Sequence, residues 1–457
     1  METNMENIIE TLNGLLSSRQ YAKIRSLLED SNPADTAALI DELFGDDYEQ
    51  EKNFLILFRL LPKDDAAEVF TYMEPEMQEH LISAFSDNEL REFLSQSFID
   101  DTVDIIEEMP ANVVSRILAN STTGARKAIN EILNYPKDSA GSIMTIEYIN
   151  LHKDMMVKEA FETIRKVGIN KETIYTCYVT ENRRLIGVVT VKQLFMADEE
   201  AKIGDIMESN VITVDTTDDR EDVARMFSKY DYLAIPVVDS GHRLVGIVTF
   251  DDAMDVITEE NTEDFARMAA VAPSDESYFK TGVFKHMLNR IGWLCVLMIS
   301  ATITGILTEK YNAVFTALPI LVSFMPMIMD TGGNCGSQSS VLVIRGLALG
   351  EIEFVDFFKV VFKEFRIGIL VSSVLALVNG IRIYIMNGHD IRLSITLCIS
   401  IIFTVILSKL IGAALPMLAK KCRLDPALMA TPLISTIVDC CSLLIYFNVA
   451  MKIFNIA

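Results

Sequence analysis

The sequence predicts a multidomain integral membrane protein: an all-α superhelical N-domain, a tandem α/β pair, and an all-α domain of five transmembrane helices. Three observations carry this prediction. Half of the 457 residues are hydrophobic, with a mean hydropathy of +0.28; the acidic residues concentrate in the first part of the chain; and a β-α-β-β-α pattern occurs twice in the middle. A wholly soluble or disordered chain is disfavoured by the apolar content. The net charge of −24 likewise disfavours a general nucleic-acid binder, which needs a cationic face. From His286 onward there are 13 Lys+Arg and 9 Asp+Glu, a net of +4, which leaves −28 on the part before it.

The opening METNMENIIETLNGLL lacks a cationic segment followed by an apolar core and cleavage site, so the acidic part is expected to begin and stay in the cytosol. The seven cysteines form no CxxC pair and lie mostly in or beside apolar runs, as reduced, buried small hydrophobes do. Residues 1–134 are helical in pattern. LLPKDDAAEVFTYM, MEPEMQEHLISAF and EEMPANVVSRIL each place a proline (Pro62, Pro75, Pro110) near the first turn of an apolar-periodic stretch, where a missing N–H costs little. Stacked short helices would bury such faces as a superhelix, with an irregular bundle as the alternative.

Over 135–258 the texture changes. AGSIMTIEYINLHKDMMVKEAFETIRK with TIYTCYVTENRRLIGVVTVKQL is echoed by IGDIMESNVITVDTTDDREDVARMFSKY with YLAIPVVDSGHRLVGIVTFDDAMDVI. The recurrence of order and spacing resembles a tandem of cystathionine-β-synthase-type (CBS) modules. That resemblance implies an adenine-nucleotide or ion sensor in which Thr/Ser-x-x-Asp after the last strand holds a ribose. The second copy has Thr249 and Asp252 in this pattern and the first has Thr190 and Gln193, so at most one conventional site for ATP or another adenine nucleotide is expected. A helix N-cap is the competing reading of Thr249.

Residues 259–287 read as an amphipathic linking helix with an acidic start. Beyond it, over 288–457, come five apolar runs: Ile291–Thr308, Tyr311–Met329, Ile367–Ile381, Leu393–Ala419 and Pro426–Met451. With the N-terminal part inside, the cytosolic loops hold Arg345, Lys359, Lys363, Arg366, Lys420, Lys421 and Arg423. The opposite side holds Lys310, Arg382, Arg392 and Lys452, so the distribution favours a multi-pass plasma-membrane protein with its C-terminus outside.

A carboxylate in mid-membrane is costly and normally faces a pathway or a partner. Asp439 lies 12 residues after Ala427, roughly 18 Å along a helix and near the midplane. MIMDTGGNCGSQSS is the second cluster: its glycines permit close helix approach, and Asp330, Asn334 and Gln338 supply oxygen donors. A small-residue helix contact is the plainer reading of that segment.

MIMDTGGNCGSQSSVLVIRGLALGEI and DPALMATPLISTIVDCCSLLIYF resemble the second and fifth membrane helices of MgtE-type magnesium transporters, and the domain order matches that family over essentially the whole chain. The resemblance implies a homodimer in the membrane with a Mg²⁺-selective pore on its axis and no nucleotide hydrolysis. It makes Asp439 the pore carboxylate, with Asn334 and the backbone around Ser435 at the same constriction. Asp425 would face the linking "plug" helix, and Asp252, Asp255, Glu260, Glu263 and Asp264 would bind cytosolic Mg²⁺ and close the pore. A hydrated dication held through its waters suits such a set of oxygens. Asp330 and Ser442 depart from the family pattern, which has glycine at both places; Asp330 could add a second carboxylate to the path.

Against regulated Mg²⁺ uptake stand a broader divalent pathway (Mn²⁺, Co²⁺, Ni²⁺), Mg²⁺ efflux, and a membrane-anchored nucleotide sensor. Anchoring alone needs neither Asp439 nor a glycine-rich helix. An enzyme is disfavoured, because His80, His152, His242, His286 and His389 are scattered and no Walker loop, HExxH or nucleophile elbow is present.

Overall fold

The computed structural model describes residues 2–29, 31–44, 51–274, 278, 281–386, 390–429 and 431–455. They form two compact units, Met1–Ile257 and Thr258–Ala457.

In the first unit, ten helices among the described residues run from α1 (Glu2–Ser17) to α10 (Thr123–Ile132). Prolines start several of them: Pro75 opens α6 (Pro75–Ala84), while Pro62 and Pro110 are the N-caps of α5 (Lys63–Thr71) and α9 (Ala111–Asn120). Ser86 and Glu89 close a reciprocal capping box on α7 (Asp87–Leu94). Helices pack on the next and the next but one, as in a superhelical array. The array buries a chain of aromatic rings, Phe58 to Phe70, Phe70 to Phe93, and Phe93 to Phe85, with centroids 6.2, 4.7 and 5.9 Å apart.

Two three-stranded sheets follow, β1 (Ile149–Leu151) with β2 (Thr176–Glu181) and β3 (Arg184–Thr190), and β4 (Val214–Asp215) with β5 (Ala234–Val238) and β6 (Leu244–Thr249). Each has a parallel first pair and an antiparallel second pair, with α11 (Val157–Val167) or α14 (Arg220–Tyr230) as the crossover. The copies interlock reciprocally. The entry residue Thr145 of the first bridges Ile247 of β6, and Glu208, which enters the second, bridges Val188 of β3. Gly187 and Gly246 are the sites of close approach, since a Cβ there would lie 2.7 Å from the sulfur of Met207 or Met144 respectively. Tyr178, Leu185, Ala234, Val238, Leu244 and Ile247 fill one shared core.

The linking helix differs from its sequence reading. Helix α15 (Phe250–Met268) begins directly after β6 and ends at Met268; residues from Val283 belong to the next long helix, α16 (Val283–Lys310). Pro273 and Gly282 lie between the two.

The second unit adds α17 (Asn312–Ala317), α18 (Met325–Ala348), α19 (Phe357–Met386), α20 (Ile391–Lys421) and α21 (Thr431–Phe454). The second apolar run, Tyr311–Met329, is not one helix. Pro319 opens a 3₁₀ turn, Pro326 lies in the first turn of α18, and the crossing-length helix is displaced toward the glycine-rich segment. Among the described residues, four helices are long and apolar enough to cross a membrane by length and composition. At 24 residues, α18 also has a spanning length, about 36 Å at 1.5 Å per residue, but it carries small polar residues that face protein. Helices α19 and α20 run past the apolar runs to 30 and 31 residues, taking Lys359, Lys363 and Arg366 into α19. Helix α18 packs on α20 and α21, α19 on α20, and α16 on α21.

Candidate ion path and regulatory acids

Glycines bring α18 against α20 and α21. A Cβ on Gly332 would stand 2.7 Å from Ser442 Oγ and 2.8 Å from Thr404 Cγ2, and one on Gly336 would stand 2.9 Å from Ile434 Cγ2. The small-residue helix contact expected of this segment is present: its glycines make the close approach, and its polar residues lie elsewhere on the helix. Asp330, Asn334 and Gln338 are exposed at i, i+4 and i+8, one continuous stripe.

Opposite them on α21, Asp439 is half-buried, and Ser435, one turn earlier, packs against Gly333 beside Asn334. Asp330 is near enough to Asp439 to act on it electrostatically. Ser442 is fully buried, and its hydroxyl has no hydrogen-bond partner among the described residues. Ser442 thus places a polar group in the α18–α21 contact.

The acids assigned to α15 do not behave alike. Asp252 accepts a 2.6 Å hydrogen bond from Thr249 Oγ1, so the Thr-x-x-Asp pair closes on itself as a helix start; Thr190 and Gln193 form the matching capping box in the first copy. Asp255 is exposed, and Glu260 is intermediate. Glu263 pairs with Arg267, and the same guanidinium bonds Asp425, whose other oxygen accepts the Ala427 N–H at 2.7 Å. Burial raises the Asp264 carboxyl, and Asp425 adds to the effect. Arg267 was not among the sequence candidates, because a lone basic residue at the end of an acidic helix carries no signal of its partner.

A second acidic cluster also escaped sequence reading. Helix α8 (Ile99–Glu108) places Asp100, Asp101 and Asp104 near Asp252, with Glu172 and Glu147 close by. Burial, reinforced by neighbouring carboxylates, pushes Asp101 up to about 6, Asp104 to about 7 and Glu172 to about 8, and it raises Asp100 well above the carboxylate range. Asp252, raised mainly by burial, reaches about 6 even though its bonds to Thr249 favour the charged form. Among the described residues, no three His, Cys, Asp or Glu side chains converge closely enough to hold a metal ion directly. What the geometry provides is a crowd of carboxyl groups whose strongest electrostatic neighbours are one another.

Three family models match: the divalent cation transporter MgtE over residues 325–449, the MgtE intracellular N domain over 6–138, and the CBS domain over 140–200 and 203–259. The magnesium transporter MgtE of Thermus thermophilus is 34% identical over 450 residues, covering 97% of this chain and 98% of that protein. That of Bacillus subtilis is 31% identical over 437 residues, 95% of each. Among solved structures, the cytosolic domain of the Mg²⁺ channel MgtE in complex with ATP matches with 34% identity and a TM-score of 0.50, covering 54% of this chain and 99% of that one. The soluble part of a magnesium transporter matches with 28% identity and a TM-score of 0.52, covering 56% and 99%. These relatives are transport proteins rather than enzymes, and at this identity and coverage the chain belongs to the MgtE family of magnesium transporters.

Proposed function

We propose that the chain, as a homodimer, conducts Mg²⁺ into the cytosol along a path lined by Asp330, Asn334 and Gln338 of α18 and by Ser435 and Asp439 of α21. The observation that carries this reading is the half-buried Asp439 within a spanning helix, facing a polar stripe that the rest of the protomer leaves open. A paired carboxylate and neutral oxygens suit a dication that keeps its waters, because Mg²⁺ dehydrates reluctantly. The positive-residue distribution supports a C-terminus on the far side of the membrane.

Cytosolic Mg²⁺ closes the path by binding the acids. Without a cation, burial and mutual repulsion oppose the ionisation of Asp100, Asp101, Asp104, Asp252 and Glu172; a divalent ion held through water favours their charged forms together and with them the compact arrangement. On α15, Asp255, Glu260, Glu263 and Asp264 act in the same way, with Arg267 and Asp425 joining that helix to the start of α21. An adenine nucleotide at the CBS pair is supported by the ATP complex of a relative's cytosolic domain. Thr249 and Asp252 would hold its ribose after parting from each other.

A broader divalent selectivity is favoured by one feature, the additional carboxylate of Asp330 beside Asp439. Flux in proteoliposomes tests the reading. Asp439→Asn, which keeps shape and loses charge, should lower Mg²⁺ flux at least a hundredfold with the dimer intact, and parental flux would remove Asp439 from the path.

A further inference from the structure

Helix α18 makes its closest approaches to α20 and α21 at Gly332 and Gly336, and a glycine contact lets helices approach without itself fixing how either is rotated. Beside the apolar contacts of Ile328, Val343 and Leu347, directional bonds hold the rotation, and two consecutive serines make them. Ser339 Oγ donates to Glu364 Oε2 of α19 at 2.6 Å and accepts from Lys409 Nζ of α20 at 3.1 Å, while Lys409 and Glu364 stand 3.8 Å apart. Ser340 Oγ donates to the Met429 carbonyl ahead of α21 at 3.1 Å. The three members of the first group are all nearly closed off, at 0% (Ser339), 5% (Lys409) and 7% (Glu364) exposed. A buried pair of opposite charges bridged by a hydroxyl is more than packing requires in an apolar helix contact.

We propose that Lys409, Glu364 and Ser339 are positioning residues for transport: they hold the rotation of α18 at which Asp330, Asn334 and Gln338 face the ion path. The proposal rests on the reading of that stripe as the path. Gln338 directly precedes Ser339, and successive helix residues are about 100° apart, so a turn of one residue would replace the Gln338 amide by the Ser339 hydroxyl. Cys335, beside Asn334 and only 6% exposed, is a native reporter of such a turn.

The test uses the full chain with Cys335 as its only cysteine, labelled by a water-soluble thiol reagent, together with Mg²⁺ flux in liposomes. Ser339→Ala leaves the charge pair in place and removes the tether. Lys409→Met with Glu364→Met removes both charges and orphans neither. Both should remain folded dimers, label at Cys335 at least tenfold faster, and conduct about tenfold less. Parental labelling and flux in both variants would overturn the proposal and leave the triad as compensated burial. Faster labelling with parental flux would overturn it too, and the flux of Asp439→Asn then shows whether the ion-path reading itself has failed.

Discussion

Replacing Asp101 by Asn should make the soluble unit more resistant to opening at neutral pH in divalent-free buffer, although it removes a negative charge from the first turn of α8, where such a charge ordinarily helps. Burial, with Asp252 next in effect, raises the folded-state carboxyl from 3.8 to about 6. A carboxyl whose folded pKa lies above its unfolded one favours folding while protonated. That contribution is complete below about pH 4 and is lost as pH rises through about 6. The full shift corresponds to about 3 kcal/mol; partial solvent screening brings it to about 1–2 kcal/mol, and the helix-terminus benefit opposes it by up to about 1 kcal/mol. A net gain of about 1 kcal/mol is roughly a fivefold change in the opening equilibrium. Hydrogen exchange of the α8 amides in the full detergent-solubilised chain reads it, corrected for intrinsic rates. Protection should be nearly equal in variant and parent at pH 4 and about fivefold greater in the variant at pH 7.5. Millimolar Mg²⁺ should narrow the difference, because the parent gains a counter-ion. A variant that is less protected at pH 7.5, or whose advantage does not change with pH, would refute the argument that this carboxylate is destabilised by its surroundings.

Asp330→Gly removes the extra carboxylate near Asp439 and should change the relative permeation of Mg²⁺, Mn²⁺ and Co²⁺ by severalfold in competition flux assays; coincident profiles would make Asp330 a bystander. Neutralising Glu260, Glu263 and Asp264 together should raise the cytosolic Mg²⁺ concentration needed for half-inhibition by about an order of magnitude, and an unchanged dose response would move sensing to the α8 cluster. Gly332→Ala puts a methyl 2.7 Å from Ser442 Oγ and 2.8 Å from Thr404 Cγ2. Overpacking of that kind costs about 1–3 kcal/mol; the variant should lose thermal stability in detergent, and pairing it with Ser442→Gly should restore only part of the loss, because Thr404 and Val438 still crowd the methyl.

Much of this architecture was legible in the residues themselves, because it depends on local periodicity and on repetition. The doublet from AGSIMTIE to DDAMDVI displayed both α/β modules, since each strand and turn recurs in order, and apolar runs announced most of the long helices through the length a membrane demands. Asp439 was conspicuous for the same reason, as a charge where its own sequence neighbours offer none. The apolar run alone put the second crossing too early, at Tyr311–Met329, because the glycines and serines of α18, buried against α20 and α21, lower the hydropathy that marks a span, while Pro319 and Pro326 break the more apolar stretch ahead of it; the motif beginning at Met327 lay on the helix itself.

Only the tertiary structure decided which charges meet. Asp100, Asp101 and Asp104 look like ordinary solvated acids of a helical repeat until folding brings Asp252 and Glu172 beside them from far along the chain. Arg267 finds Asp425 across 158 residues, and Lys409 finds Ser339 across 70. Hydrophobic pattern reports what an element buries, and it can do so from a single segment. Electrostatic partnership depends on distance in space, which a local sequence pattern does not encode.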